Sequence, residues 1–242
     1  MGTENSAARL GAILEQARQQ PAQAAIDVWM RIFDVSNRVG VLQGAADLVR
    51  LVDQVEHEVR ALPEDEDPEH LLAFLPEIRK IVDALLYVGG VQMNHFTAQV
   101  TGEMIYSLAS CARALRRNGR AEPVISEDST NQLVDDVRAV IDDVVASDLP
   151  SALKELLVDR LRDVEEALLS VRIGGYASVE KAMDALTFGA VRATKQGSEE
   201  RAQVGSWLGR LWGKIGEHAQ GAEAIASATA TTAEAVKALT GG

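Results

Sequence analysis

Two pairs of adjacent aspartates are the residues of this sequence best suited to binding a metal ion. Asp135 with Asp136, and Asp142 with Asp143, lie within the stretch QLVDDVRAVIDDVVASD. A hard cation needs several oxygen ligands that converge from more than one element. On a helix, at about 100° per residue, the four carboxylates fall opposite the apolar positions Leu133, Val134, Val137, Val140, Ile141, Val144 and Val145. We therefore interpret them as a solvent-facing surface and predict neither a metal site nor a cofactor.

Helical isoprenoid synthases carry Asp-rich metal motifs of the form DDxxD or DDxxxxD. The two runs in this sequence read DDVRA and DDVVA. We expect neither run to be a metal motif of that family. No phosphate-binding glycine loop, HExxH zinc motif or nucleophile elbow occurs either, so the sequence favours a protein without catalytic activity.

The weak candidates for catalysis are His95 and Tyr106. A long helix is predicted over about residues 91–118, with one apolar side formed by Met93, Phe96, Val100, Met104, Leu108, Cys111 and Leu115. His95, Gln99, Gly102 and Tyr106 share the other side at helical spacing, and Arg113 continues their line. If other helices cover this side, His95 can act as an acid or base in a polar pocket; otherwise it is a surface histidine.

The segment VGSWLGRLWGKIGEHAQG is the most unusual part of the sequence. One predicted helix face combines the large apolar residues Trp207, Leu208, Leu211, Trp212 and Ile215. Gly205, Gly209 and Gly213 recur beside it, and such a strip of small residues permits close approach of another helix. The face is either part of the core or a contact surface for a protein partner, a second copy or, less favoured, a membrane surface.

The charge balance limits the partners. The net charge is −12 at pH 7 over 242 residues, so the surface repels phosphate backbones and nucleic acid is not expected as a ligand. The arginines of RALRRNGR, Arg113 to Arg120, form the tight basic cluster and fall where cations favour a helix C-terminus.

A single cysteine and the lack of a signal peptide favour the cytoplasm, and frequent arginine and alanine favour a bacterial source.

The pattern of apolar residues predicts an all-α protein, a multi-helix bundle of about ten helices in two packed lobes. The N-terminal helical lobe spans residues 1–120 and the C-terminal lobe residues 126–242, with RAEPVISEDS between them. The C-terminal lobe starts with a capping box at Ser129 and Gln132 and ends with an Ala/Thr-rich helix over about 222–239. No strand pair is predicted.

The function that this sequence favours is a non-catalytic interaction or regulatory adaptor protein of the bacterial cytosol. We expect it to self-associate or bind a protein partner through the amphipathic helix around Trp207 and Trp212. The alternatives are a membrane-surface effector in stress or phage defence, and a helical-bundle enzyme or ligand-binding protein that uses the His95 face.

Overall fold

The chain folds as an all-α protein, as the sequence predicts. The computed structural model describes residues 4–20, 23–87, 92–195 and 198–220. The sequence predicts no strand pair, and that prediction is wrong on a small scale: β1 (Val124–Ile125) pairs antiparallel with β2 (Ala219–Gln220). Strands of two residues have no alternating pattern to read, so only the folded chain reveals them.

The chain divides into two compact units, each with its own hydrophobic core. The first unit comprises Glu4–Ala121 together with Arg172–Gly174. The second comprises Glu122–Val171 and, within the described residues, the chain from Gly175 to residue 220. Leu10, Leu14 and Leu48 lie in the core of the first unit, and Leu133, Leu157 and Leu161 in that of the second.

The first unit begins with three helices: α1 (Ser6–Arg18), α2 (Ala25–Phe33) and α3 (Arg38–Arg60). Asn5 and Asn37 cap α1 and α3 by accepting a backbone N–H bond at the first turn, as short polar side chains do. Helix α1 packs chiefly against α7 (Gly102–Arg117), and α3 packs against α2 and α5 (Leu75–Asp83). Glycine at position 44 lets α2 and α3 approach, because a Cβ there would overlap the Phe33 ring.

Between α3 and α7 the chain forms short helices. After a 3₁₀ turn at Glu64–Glu66 come α4 (Pro68–Leu71), α5, a second 3₁₀ turn at Ala84–Tyr87, and α6 (Asn94–Thr97). Asp67 caps α4 in a left-handed conformation, with φ of 53°, and Pro68 occupies the first helical position. An Asp-Pro pair is a local signal for the start of a helix.

The long helix predicted over residues 91–118 is wrong in its first part. The chain forms the single turn α6 and then restarts at α7, because Thr101 is extended and its hydroxyl accepts a bond from the Met104 N–H at 3.3 Å. Threonine is a favoured N-cap, so a local capping bond ends the continuity that the apolar spacing suggested. The apolar side is nevertheless buried along its whole length from Met93 to Leu115.

The second unit contains α8 (Glu127–Ala146), α9 (Ser151–Leu169), α10 (Val171–Ala193) and α11 (Glu199–His218). Helix α8 starts three residues earlier than predicted, because Ser126, not Ser129, is its N-cap and accepts the Ser129 N–H at 3.2 Å. Helix α10 is kinked where Gly175 adopts a φ of 70°. The predicted helix at 222–239 lies outside the described residues.

Candidate functional site

The four paired aspartates lie on the polar side of α8. Asp135, Asp142 and Asp143 are exposed as predicted, whereas Asp136 is half-buried. Asp136 forms an ion pair with Lys214, and an Asp143 oxygen lies 3.7 Å from an Arg210 nitrogen. Both cations belong to α11, so part of the acidic surface joins two helices of the second unit.

Asp148 adds an acid that the five-residue runs do not include. Together with Asp142 and Asp143 it matches the DDxxxxD spacing, so the expectation that neither run fits the isoprenoid synthase pattern is wrong for the second run. Asp148 follows the end of α8 and is exposed. Among the residues that the structure describes, no group of three or more His, Cys, Asp or Glu side chains is arranged to hold a metal ion.

His95 does not lie in a polar internal pocket. Its side chain is exposed on the single turn α6, and Gln99 Nε2 donates to its carbonyl oxygen at 2.9 Å. Tyr106 lies on a different helix, since the chain breaks at Thr101. Neither of the two grooves described below includes His95. The described residues therefore do not support a catalytic pocket shared by His95 and Tyr106.

The apolar side of α11 lies in the core of its own unit. Trp207, at 7% exposure, and the almost fully buried Leu208, Leu211 and Ile215 belong to that core. Trp212 is half-buried against it, and its indole Nε1 donates to the Thr187 hydroxyl at 3.3 Å. The chain itself thus covers these side chains, and contact with a partner through them stays a prediction that requires α11 to leave this core.

The glycines of α11 differ along the helix. Gly205 is buried, Gly209 is half-buried and Gly213 is exposed. A Cβ built on Gly213 meets no described atom within 4 Å. The expected close approach of another helix along the whole glycine strip is therefore absent at Gly213 within the described part of the chain.

The outward side of α7 is the best candidate for a functional surface. Tyr106 is 68% exposed, although large aromatic side chains are usually buried. The Arg113 guanidinium lies over its ring, 5.5 Å from the centroid, and an Arg113 nitrogen donates to the Ser110 hydroxyl at 2.9 Å. We define the α7 face as the exposed residues Tyr106, Ala109, Arg113 and Arg116.

A groove lies on each side of this face. The groove toward α4 has a volume of about 450 Å³, and its lining includes Leu71, Phe74, Glu103, Tyr106 and Ser107. The Ser107 hydroxyl donates to the Leu71 carbonyl at 3.1 Å and so fixes α4 beside α7. The groove toward α1 has a volume of about 400 Å³, and small residues of α1 face α7 across it: Ala8, Gly11 and Ala12.

The charge along α7 changes sign. Glu103 lies at its N-terminal end, and from Met104 to Arg120 the chain carries four arginines and no acid. Glu66 forms an ion pair with Arg117, and the hydrogen bonds from that guanidinium lower the pKa of the Glu66 carboxyl. Arg113 and Arg116 are exposed in the C-terminal half of the α7 face.

The thiol beneath this face is not a nucleophile. Cys111 is buried, and its Sγ donates to the Leu71 carbonyl at 3.3 Å. Burial raises the pKa of the thiol to about 11. It is therefore protonated at neutral pH, and the arrangement around α7 suits binding better than covalent chemistry.

Sequence reasoning identified some of these residues but not their arrangement. Tyr106 and Arg113 are seven residues apart, two helical turns, and the sequence placed them on one line. It assigned that line to a pocket around His95. The exposure of Tyr106 and the two flanking grooves depend on where α1 and α4 pack, and no local pattern of residues determines that.

No family model, curated protein or solved structure matches this chain. Among the described residues, no helix has the length and apolarity to cross a membrane.

Proposed function

We propose that this protein is a non-catalytic interaction or adaptor protein that binds a protein partner through the α7 face. The observation that carries the proposal is the exposed Tyr106 ring, which lies beneath Arg113 and lines the 450 Å³ groove. Tyrosine and arginine are enriched among the residues that dominate binding energy at protein interfaces.

The organisation of the face also supports a preformed contact surface. Arg113 is restrained by the Ser110 hydroxyl and by the Tyr106 ring, so less side-chain entropy is lost when a partner binds. The bond from the Ser107 hydroxyl to the Leu71 carbonyl fixes the position of α4 relative to α7. A surface whose side chains are restrained in this way favours a partner of one complementary shape.

We place this activity in a bacterial cytoplasm. The single cysteine is buried and reduced, as is usual in a reducing compartment. Arginine strongly outnumbers lysine in the sequence, which is common in GC-rich bacteria.

The proposal is tested by placing a photo-cross-linking amino acid at Tyr106 in the full chain, expressed in its source cells. A second version carries it at Phe188, which is 55% exposed on α10. We expect one discrete protein adduct from position 106 that is absent from position 188. The partner, identified by mass spectrometry and purified, should bind the wild type at least tenfold more tightly than the Tyr106→Ala/Arg113→Ala variant in calorimetry.

Two results contradict the proposal. One is the absence of a discrete adduct at position 106. The other is an adduct whose purified partner binds the double variant as tightly as the wild type. An adduct with a second copy of this chain, lost in the double variant, instead assigns the face to self-association.

A further inference from the structure

We infer that the partner segment bound beside Tyr106 is basic. It places one aromatic or aliphatic anchor side chain in the groove between α4 and α7, and a neighbouring lysine or arginine beside Glu103. The inference rests on the proposed function and adds the chemistry of the partner. It is carried by the lining of this groove, which combines apolar surface with a carboxylate that forms none of the ion pairs found in the described residues.

The groove offers an apolar surface for the anchor. Its volume of about 450 Å³ lies within the range of roughly 300–1,000 Å³ that ligand sites occupy. Leu71 and Phe74 line it and are half-buried, so an entering apolar side chain removes more of their surface from water. Tyr106 lines it as well, and its exposed ring gives that side chain an aromatic surface to pack against.

The groove is acidic at the end where α7 begins. Glu103 lines it, is exposed, and has no ion-pair partner within the described part of the chain. Among the described lining residues, none is a lysine or an arginine. The N-terminus of α7 carries about half a positive charge, which is less than the full charge of the carboxylate. This end of the groove therefore attracts a cation.

The chain that forms the α4 side of the groove is also acidic. Residues 62–78 include six acidic side chains and no lysine or arginine. Glu66 and Glu69 are paired with arginines, so they add little to this attraction. Three others are exposed and form none of the ion pairs found in the described residues: Glu64, Asp65 and Glu77. Negative charge on both sides of the groove favours a basic segment over an acidic or neutral one.

Lysine and arginine suit this combination of apolar surface and carboxylate. Their aliphatic stems pack on apolar side chains while the charged head stays in water. Arg113 gives the segment a direction: its guanidinium lies over the Tyr106 ring and does not line the groove, and like-charge repulsion disfavours a basic residue beside it. The basic residue therefore belongs beside Glu103, and the anchor belongs beside Tyr106 and Phe74.

A second copy of this chain is the other occupant to consider. Two molecules of net charge −12 repel each other at long range, which opposes self-association at low salt. A basic segment of another protein is attracted by the same charge. We therefore assign the groove to a segment of another protein, and the experiment includes self-association as an outcome.

The test is selection from a phage-displayed library of random peptides against the full chain. The selection is made in about 150 mM salt, which partly screens unspecific attraction between exposed charges. Enriched peptides are then synthesised with a fluorescent label, and their dissociation constants are measured by anisotropy. The test variants are Tyr106→Ala, which removes the exposed ring, and Glu103→Lys, which reverses the charge of the groove.

The matched control is Glu127→Lys in α8. Glu127, like Glu103, is an exposed glutamate in the first turn of its helix. Both lysine variants change the net charge of the chain by the same amount. The comparison therefore separates binding in the groove from the general attraction of basic peptides to an acidic protein. Circular dichroism checks that all three variants are folded.

We expect enriched peptides that carry an excess of lysine or arginine and one aromatic or aliphatic anchor. Their binding should weaken at least tenfold in Tyr106→Ala and in Glu103→Lys, and less than twofold in Glu127→Lys. It should also weaken as the salt concentration rises from about 50 to about 500 mM, because exposed charge pairs are screened. Replacing the anchor of a peptide by alanine should weaken binding to the wild type at least tenfold.

The results that overturn the inference differ from those that overturn the proposed function. Enriched peptides without excess basic residues that depend on Tyr106 but not on Glu103 overturn the basic partner and leave the α7 face as a binding surface. Equal weakening in Glu103→Lys and Glu127→Lys overturns it too, because the attraction is then general.

Two further results count against the inference. One is failure to enrich any peptide that depends on Glu103, while the cross-linking experiment judges the proposed function separately. The other is self-association of the wild type that Glu103→Lys abolishes and Glu127→Lys retains, which assigns the groove to a second copy of this chain.

Discussion

At the scale of single residues, the carboxylates of α8 act as partners for cations of α11. Asp136 pairs with Lys214, and Asp143 lies 3.7 Å from Arg210. Asp142 is exposed and forms none of the ion pairs found in the described residues. These are surface interactions, and isolated pairs of this kind contribute little to stability.

Replacing Asp142 and Asp143 by Asn therefore has a small expected effect. The free energy of unfolding should change by less than about 1 kcal/mol, because both residues are exposed. The measurement is urea denaturation followed by circular dichroism, with and without 5 mM Mg²⁺. A rise in stability with Mg²⁺ that disappears in the double variant would show that these aspartates bind a metal.

Cys111 should be unreactive in the folded protein. Its pKa is raised by burial from 9.0 to about 11, so the thiolate is scarce at pH 8. We expect a thiol reagent such as DTNB to modify it at pH 8 only as fast as the first unit unfolds. Rapid modification without urea would contradict the buried position.

The same shift predicts a loss of stability at high pH. The unfolded thiol ionises near 9.0 and the folded thiol near 11. The stabilisation is thus complete below pH 9 and is lost as pH rises through this window. The Cys111→Ala variant should lack this part of the loss when its unfolding free energies at pH 8.5 and 10.5 are compared with those of the wild type.

At the scale of elements, two glycines should respond in opposite ways to alanine. No described atom lies within 4 Å of a Cβ built on Gly213 in α11, so Gly213→Ala should stabilise the protein by up to about 1 kcal/mol through helix propensity. Gly44 lies where a Cβ would overlap the Phe33 ring, so Gly44→Ala should destabilise it by about 1–3 kcal/mol. The melting temperatures of both variants test these two opposite predictions. A destabilised Gly213→Ala variant would indicate that the surface at this position is covered.

The position of α11 in its core gives a second prediction for an element. Trp207 is 7% exposed, so Trp207→Ala should cost about 3–5 kcal/mol, whereas Trp212→Ala, at a half-buried residue, should cost less. Urea denaturation measures the stability and light scattering the mass. If Trp207→Ala keeps the stability of the wild type but no longer forms an oligomer that the wild type forms, α11 is an interaction surface.

At the scale of the whole molecule, the residues of one core do not all come from one continuous part of the chain. Ile173 is 5% exposed and belongs to the core of the first unit, although it follows α9 of the second. The Arg9 Nε donates to the Ile173 carbonyl at 3.1 Å, and Arg9 is itself only 3% exposed. A short piece of α10 thus completes a core whose other members end at Leu115.

We therefore expect Ile173→Ala to loosen helices that are distant from it in sequence. Amide hydrogen exchange measured by mass spectrometry should accelerate in α1 and α7 more than in α8 and α9, because the cavity opens in the first core. The matched control is Leu157→Ala, a residue of the second core, which should show the opposite pattern. Equal acceleration everywhere would mean that the two cores unfold as one.

The sequence by itself determined the all-α class and one long buried side of the first unit. Apolar residues at helical spacing predicted the buried side from Met93 to Leu115, because helical periodicity is a local property. Asp67 as N-cap and Pro68 at the first helical position are likewise a local signal for a helix start. The capping bond of Thr101 was not predicted. The apolar pattern continues through this position, whereas the helical backbone is interrupted there.

Only the tertiary structure decided which surfaces are available for function. The apolar side of α11 is covered because helices of its own unit pack on it, and a sequence pattern does not distinguish a core face from an interface. Tyr106 is exposed between two grooves because α1 and α4 pack on either side of α7 and leave its outward side open. Burial depends on contacts between residues that are far apart in the chain, and those contacts are specified by packing rather than by spacing.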